Sequence, residues 1–505
     1  MTARRLPLLL CAATLPAVPV SAETLRDALA KAYDNNPTLT AQRAAQRAND
    51  ENVPIARSAG LPGVSASGGV NENFVRGGNS FTTPERRLDG TIGVTLPLYQ
   101  GGRVRNGVLA AETRVEAGQA NLRGVEATTF TDVVSAYNNV LRDEAIVGLN
   151  TQNVRVLDTN LRASRDRFEV GDLTRTDVAQ SEARLSLARA QLQSAQATLI
   201  SSRENYVRLV GSAPGSLEAP PTLPNLPASA DGAVELALQD NPTLLAARRA
   251  RDATDYDVRV ARANRLPQVG VTVGQNYFNY LGTLGRGNSA GLGVGQTGTS
   301  TSAGLTLNLP LFQGGRPAAQ VRQAQALRGQ AIEQATATER QVIASARSAY
   351  AVWRSSLEVI ASAEAAVNAN KLSLEGVRAE NSVGTRTILD ILNAEQELLN
   401  SQVTLVSARR DAYVAGFALL AAMGQAEAQD LGLDGGPLYD PTVNYRAVRG
   451  RINDFGGAPA AQPIAATTAG TAPQDAAVTK PLDPLLESNV DRSPALTTGI
   501  DRPRP

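Results

Sequence analysis

The side chains of this sequence that could carry chemistry are few. Histidine is absent and the one cysteine is Cys11, so the commonest general base and metal ligand are missing, and beyond residue 11 there is no thiol. What remains is carboxylate. Glu182 and Glu395 could act as an acid–base pair on an envelope polymer. They stand 213 residues apart at equivalent places on heptad-patterned segments, a setting that favours solvated or interhelical ion pairs over hydrolysis. Gly293-Val294-Gly295-Gln296-Thr297-Gly298 spells a dinucleotide fingerprint. Ser, Thr and another strand pattern follow it, not the helix whose N-terminus would hold a pyrophosphate. Thr174 with Asp177, and Thr387 with Asp390, lie beside glycine turns at capping-box spacing, where hydroxyl and carboxylate each satisfy a backbone N–H. No catalytic residue, cofactor site or metal site is expected. A net charge of +1 gives no reason to expect nucleic acid.

The elements that must position these clusters are written twice. NPTL at 36–39 returns at 241–244, and ARSAGLP at 56–62 returns as ARANRLP at 261–267, both displaced by 205. LPLYQGGR at 96–103 returns as LPLFQGGR at 309–316, displaced by 213, and the same 213 relates Tyr137 to Tyr350, Gly171 to Gly384, Asp177 to Asp390 and Gly211 to Gly424. A constant displacement over so long a stretch means no net insertion, as a rigid helical hairpin requires. The change from 205 to 213 puts eight extra residues between ARANRLP and LPLFQGGR, where a variable loop is expected.

Periodicity gives each repeat its parts. Val178, Ser181, Leu185, Ala188, Leu192, Ala195 and Leu199 step by three and four, and Ile391, Ala394, Leu398, Ser401 and Leu405 copy that seam, the mark of packed helices. Between each QGGR and its downstream Val-Gly pair lie about 65 residues of the same pattern, roughly 100 Å of helix. The shorter helices, near 24–60 and 174–211, together match one long helix and could stack end to end beside it. Four segments instead alternate with period two, among them Val64, Ala66, Gly68 and Val70, and Leu305, Leu307, Leu309 and Leu311. One face is apolar and the other small or polar, which fits lipid-facing barrel strands around a wet lumen, or a soluble sandwich. Four strands cannot close a barrel, and open edges are not tolerated in hydrocarbon. Two copies would give a filled eight-stranded barrel and three a roomier twelve-stranded one, so a homotrimer is expected. Tyr137, Tyr350 and Trp353 are read as packing between helices, and the QGGR glycines as corners that turn strand into helix.

Residues 1–22 read as a secretory signal peptide: Arg4 and Arg5, an apolar run, then Ser21 and Ala22. Leu10 is larger than the residue a lipoprotein site wants before its cysteine, which argues against lipidation of Cys11. The remaining divisions are a first repeat at 23–212, an equatorial linker at 213–231, a second repeat at 232–433, and an equatorial segment with a disordered tail at 434–505, rich in Ala, Pro, Thr and Asp beyond Arg451. Exposed loops are expected near 72–88 and 276–302. A soluble periplasmic coiled-coil protein with a structural or adaptor role is the alternative to a membrane conduit.

The NPTL segments, the LPLYQGGR and LPLFQGGR junctions and VGTRTILDILNAEQELLNSQ at 383–402 resemble the TolC family of outer-membrane efflux and type I secretion channels over about residues 24–433. The resemblance implies a mixed α/β membrane protein: a trimer whose twelve-stranded β-barrel, four strands per protomer, is continued by a long periplasmic α-helical barrel. It implies an exit channel in the cell outer membrane that contacts lipid, extends into the periplasm, and docks to an inner-membrane transporter through a periplasmic adaptor. It places Arg386 on the family's gate arginine, Thr176 and Asp177 on the polar pair it bonds, and Asp390 on an acidic ring facing the pore. Asn381 departs from a gate tyrosine and Asn393 from a second aspartate. The turns Val170-Gly171-Asp172 and Val383-Gly384-Thr385 would be the adaptor-docking tips.

Overall fold

The computed structural model describes residues 22–75, 84–284, 295–433, 438–457, 460 and 462–487. The signal peptide expected at 1–22 therefore lies, but for its last residue, outside the described residues. In the first repeat α1 (Leu25–Asn35), α2 (Pro37–Asp50) and α3 (Asn52–Ser58) lead into β1 (Gly63–Glu72) and β2 (Arg86–Tyr99), then α4 (Arg103–Glu169) and α5 (Arg175–Val210). The second repeat runs α6 (Ala230–Asp240), α7 (Pro242–Ala263), β3 (Gln268–Asn279), β4 (Thr297–Asn308), α8 (Arg316–Ser382) and α9 (Ile388–Met423), and α10 (Pro441–Val448) follows.

Both long helices, α4 and α8, have 67 residues, and both half-length helices, α5 and α9, have 36. Each long helix is about 100 Å of rod. Beside α4 the column is completed by α1, α2 and α3 above α5; beside α8, by α6 and α7 above α9. The repeated asparagine of NPTL makes these joints. Asn36 Oδ1 accepts the amides of Thr38 and Leu39 at 2.9 and 3.4 Å and so caps α2, while its Nδ2 donates to Leu209 O, in the last turn of α5, at 2.9 Å. Asn241 does the same for Thr243 and Leu244, and donates to Ala422 O of α9 at 2.9 Å. Pro37 and Pro242 suit the first helical position, where no N–H is needed, and Gly211 and Gly424 end α5 and α9 in the left-handed region at φ 88 and 80°.

The heptad seam is buried as its spacing requires: Ser181, Leu185, Ala188 and Leu199 in α5, and Ile391, Leu398, Ser401 and Leu405 in α9. The largest core lies at mid-height, where Phe130, Tyr137, Tyr206 and Phe417 meet Leu25, Leu29 and Met423. Tyr137 is buried there with its hydroxyl between Glu23 O and Glu218 O at 2.9 and 2.8 Å, and Tyr350 donates to Ala228 O at 2.8 Å with Trp353 edge-on to its ring. These three aromatics are structural, as expected. The linker at 213–231 is held by the same core: Leu217 is buried and Glu23 bridges to it.

Two expectations are corrected. The loop near 276–302 is shorter than anticipated, because β3 runs on to Asn279 and β4 begins at Thr297; the Tyr, Thr and Ser of this stretch continue the ladder. The tail beyond Arg451 is ordered in part as an extended strap. Asp475 meets Arg203 of α5, Leu482 sits over Gly148 of α4, Asp483 meets Arg409 of α9, and Lys371 of α8 donates to Leu485 O at 2.5 Å. Leu486 is buried, and Gln402 donates to its carbonyl at 2.6 Å. A few spaced leucines anchor a segment whose average composition reads as disordered. Residues 488–505 lie outside the described residues.

Candidate functional site

The sheet is antiparallel in the order β1-β2-β3-β4. Its register aligns Val64, Val94, Val273 and Ala303 across all four strands, with Leu96, Val271 and Leu305 beside them. The opposite face aligns Ser67, Thr91, Asn276 and Ser300, with Thr91 Oγ1 on Asn276 Oδ1 at 2.9 Å. One face is thus hydrocarbon and the other suits water. The outer edges of β1 and β4 have no strand beside them among the described residues. Strands of about 12 residues span roughly 40 Å, or about 28 Å when tilted by 45°, which matches a bilayer core. No described helix is long and apolar enough to cross a membrane.

The two QGGR motifs connect this sheet to the long helices. Gly101 and Gly102 have φ of 61 and 81°, Gly314 and Gly315 of 59 and 80°, so each corner uses two consecutive left-handed residues that other side chains resist. Gln100 accepts from Arg103 Nε at 3.1 Å across the first corner, and Gln313 from Arg316 Nη2 at 3.4 Å across the second.

At the far end of the rods the hairpins turn at 170–174 and 383–387. Gly171 and Gly384 are left-handed at φ 85 and 82° with open space around them, and Val170 and Val383 are 80% and 74% exposed. Asp172 N donates back to Arg167 O at 2.8 Å and Thr385 N to Glu380 O at 3.1 Å, closing both turns alike. Thr174 N donates to Asp177 Oδ2 at 3.0 Å and Thr387 N to Asp390 Oδ2 at 2.9 Å, each returned by the aspartate's own amide. Both capping boxes are therefore formed. The threonine hydroxyl bonded to each carboxylate, with the backbone amide second, holds Asp177 and Asp390 below the usual aspartate range.

Within the chain Arg386 Nε pairs with Glu380 Oε2 at 2.8 Å, and the Arg386 carbonyl accepts from Asn381 Nδ2 at 2.7 Å. The chain does not bring Arg386 to Thr176 or Asp177, which lie on the other hairpin; Thr176 is exposed on the first turn of α5. Asn393 accepts from Arg184 Nη2 at 2.8 Å, a tie between α9 and α5 that no local pattern signals because Arg184 is 209 residues away. Glu182 and Glu395 form the interhelical ion pairs expected of them, with Arg165 at 3.8 Å and with Arg378. Among the described residues no group of His, Cys, Asp and Glu could hold a metal ion.

The family described as "Outer membrane efflux protein" matches residues 28–212 and 233–425, one block per repeat. "Outer membrane efflux protein BepC" of Brucella suis is 38% identical over 431 residues, 85% of this chain and 91% of that protein. "Outer membrane protein TolC" of Escherichia coli is 26% identical, over 81% of this chain and 84% of its own length. Among solved structures, the CmeC outer-membrane channel of Campylobacter jejuni superposes with a TM-score of 0.70 at 18% identity, over 85% of this chain and 90% of that one. VceC of Vibrio cholerae does so at 0.67 and 23% identity, over 79% and 96%. With this sheet, these corners and these paired columns, the chain belongs to the outer membrane efflux protein family and has the fold of its TolC-like outer-membrane channels.

Proposed function

We propose that three copies of this chain close a twelve-stranded barrel and a continuing helical tube, the exit duct for small molecules or proteins delivered by an inner-membrane transporter through a periplasmic adaptor. The observation that carries this is the sheet itself. It has one apolar face and, among the described residues, two edges with no strand beside them, and runs through the QGGR corners into helices of 67 residues. Such edges are satisfied in hydrocarbon only by closure, and closure needs further copies. The hairpin tips form the periplasmic entrance. The exposed valines and left-handed glycines of Val170-Gly171-Asp172 and Val383-Gly384-Thr385 present alike to an adaptor, twice per subunit. Arg386 and Asp390 line the entrance, where Arg386 exchanges Glu380 for Thr176 or Asp177 of the adjoining hairpin when the entrance narrows. Three Asp390 carboxylates form its acidic ring, while Asn381 and Asn393 add hydrogen bonds but no formal charge. Negative-stain images of the full chain purified in detergent should show a threefold tube more than about 100 Å long. A mature protein that stays soluble after membrane fractionation without detergent would overturn the proposal in favour of a periplasmic coiled-coil protein.

A further inference from the structure

Arginine meets carboxylate at many places in this molecule, and six exposed arginines that do not meet one among the described residues gather at one level. Away from the sheet the guanidinium groups meet acids between columns: Arg114 with Asp257, Arg328 with Asp255, Arg249 with Glu116, Arg248 with Glu339, Arg203 with Glu144. At the outer end of the sheet the charges are balanced too, Arg86 on Glu72 at 3.2 Å and Arg87 on Asp89 at 2.5 Å. At its helical end they are not. Arg57 closes α3, Arg262 lies in the last turn of α7, Arg265 stands three residues before β3, Arg316 opens α8, and Arg449 and Arg451 follow α10. All six are exposed, and none makes an ion pair with a carboxylate among the described residues. Arg57 and Arg449 are neighbours, with Arg57 Nη1 donating to Arg449 O at 3.3 Å.

Helix dipoles explain only part of this collar. A cation in the last turn of α3 or α7 is favoured by the helix C-terminus, but Arg316 sits at an N-terminus, where a cation is disfavoured. Its position has another logic. Leu98 and Tyr99, and their repeat mates Leu311 and Phe312, end the apolar face 57%, 51%, 88% and 88% exposed. Aromatic and apolar side chains at a strand end mark the membrane interface, and Arg316 follows Phe312 by four residues. The unpaired cations therefore lie at headgroup depth, on the side from which the helices leave the membrane.

We infer that this collar is a binding surface for anionic phospholipid headgroups of the periplasmic leaflet, with Arg57, Arg449 and Arg451 as one cluster on each subunit. The inference rests on the outer-membrane orientation above and adds a lipid chemistry to it. Guanidinium groups suit phosphate because their forked donors bond two oxygens at once, and basic residues beside an anionic leaflet each strengthen attachment.

The test uses the full chain, purified in detergent and offered equal phosphatidylglycerol and phosphatidylethanolamine with identical acyl chains at low ionic strength. Native mass spectrometry counts the lipid retained. The wild type should keep phosphatidylglycerol preferentially. The triple variant R57Q/R449Q/R451Q should bind it about fivefold more weakly per arginine, on the order of a hundredfold in all, with phosphatidylethanolamine unchanged. The matching Arg→Lys triple variant should keep most of the preference. Undiminished phosphatidylglycerol in the glutamine variant, or an equal loss of both lipids, overturns the inference, as does displacement of the lipid by inorganic phosphate at equal concentration. Unchanged lipid with an altered anion-to-cation permeability ratio in planar bilayers puts these arginines in the lumen and overturns it too. In each case a wild-type protein that still conducts leaves the channel standing, whereas a wild type that never conducts overturns the channel and not the lipid preference alone.

Discussion

Replacing Asn36 with Ala removes two functions from one side chain at the joint between α5 and α2. The cap on the Thr38 and Leu39 amides is lost, at about 1 kcal/mol. The carbonyl of Leu209 loses its donor at a site where Asn36 is only 3% exposed, so water does not replace it readily, and a further 1–2 kcal/mol or so is expected. Opening of the joint should then be easier by about 2–3 kcal/mol, which accelerates exchange of the Thr38 and Leu39 amides roughly 30- to 150-fold. Hydrogen–deuterium exchange of the peptides covering residues 36–45 reads this directly. Asn36→Asp separates the two parts, because a carboxylate still accepts both amides but has nothing to donate to Leu209 O. It should keep the cap amides protected while loosening the end of α5. Exchange in the alanine variant within a few-fold of wild type would refute the assignment of this side chain to the joint, and an aspartate variant indistinguishable from wild type would refute the Leu209 half of it.

Gly424→Ala should destabilise the chain more than Gly384→Ala. Both lose about 1–2 kcal/mol for left-handed backbone, but a Cβ at 424 would also lie 2.5 Å from Asp240 O whereas 384 faces open space; equal melting temperatures of the two would contradict this. Glu395→Gln removes the charge that meets the Arg378 guanidinium, whose side chain is 13% exposed, and should cost about 1.5–3 kcal/mol. The equivalent Glu182→Gln on the exposed Arg165 pair should cost under about 1 kcal/mol, as denaturant unfolding would show. Arg386→Ser should raise single-channel conductance, and unchanged conductance and open probability would remove Arg386 from the entrance. Polyvalent cations added on the periplasmic side should block conductance through Asp390. Because Thr387 lowers the folded pKa of Asp390, both its capping contribution and the block hold above the unfolded value and are lost only as pH falls through the folded one. Thr387→Val should shift that loss to higher pH, and an unshifted profile would show that the hydroxyl does not set it. Asn393→Asp would pair with Arg184, so it should strengthen the block clearly only alongside Arg184→Gln; equal strengthening in both backgrounds would rule out that masking.

Repetition made most of the fold legible. Two QGGR corners at a fixed displacement from two Val-Gly turns require two rods of one length, and period-two segments ahead of each corner require a hairpin. The capping boxes were readable for the same reason, since all their partners lie within three residues. What stayed hidden depends on partners far along the chain. Asn36 announces a helix cap by its place before Pro37, but nothing local reveals that Leu209 receives its other end. Arg386 reaches Glu380 on its own hairpin because six residues and a tight turn bring them together, a nearer partner than Thr176 or Asp177. The strap is hidden in average composition, which reads as disorder, because docking needs only Leu482 and Leu486 at the right places and two aspartates opposite Arg203 and Arg409.

That strap is a mechanical element in its own right. It is fastened to α5 at Arg203, crosses α4 at Gly148, and ends on α9 and α8 at Gln402 and Lys371, so it laces one hairpin to the other. If the second hairpin slides or swings against the first, the lacing must either lift at one of its fastenings or travel with it. The strap thus acts as a limit stop, and cutting it between Asp475 and Asp483 would leave every helix intact while lengthening the stroke one hairpin can make past its neighbour.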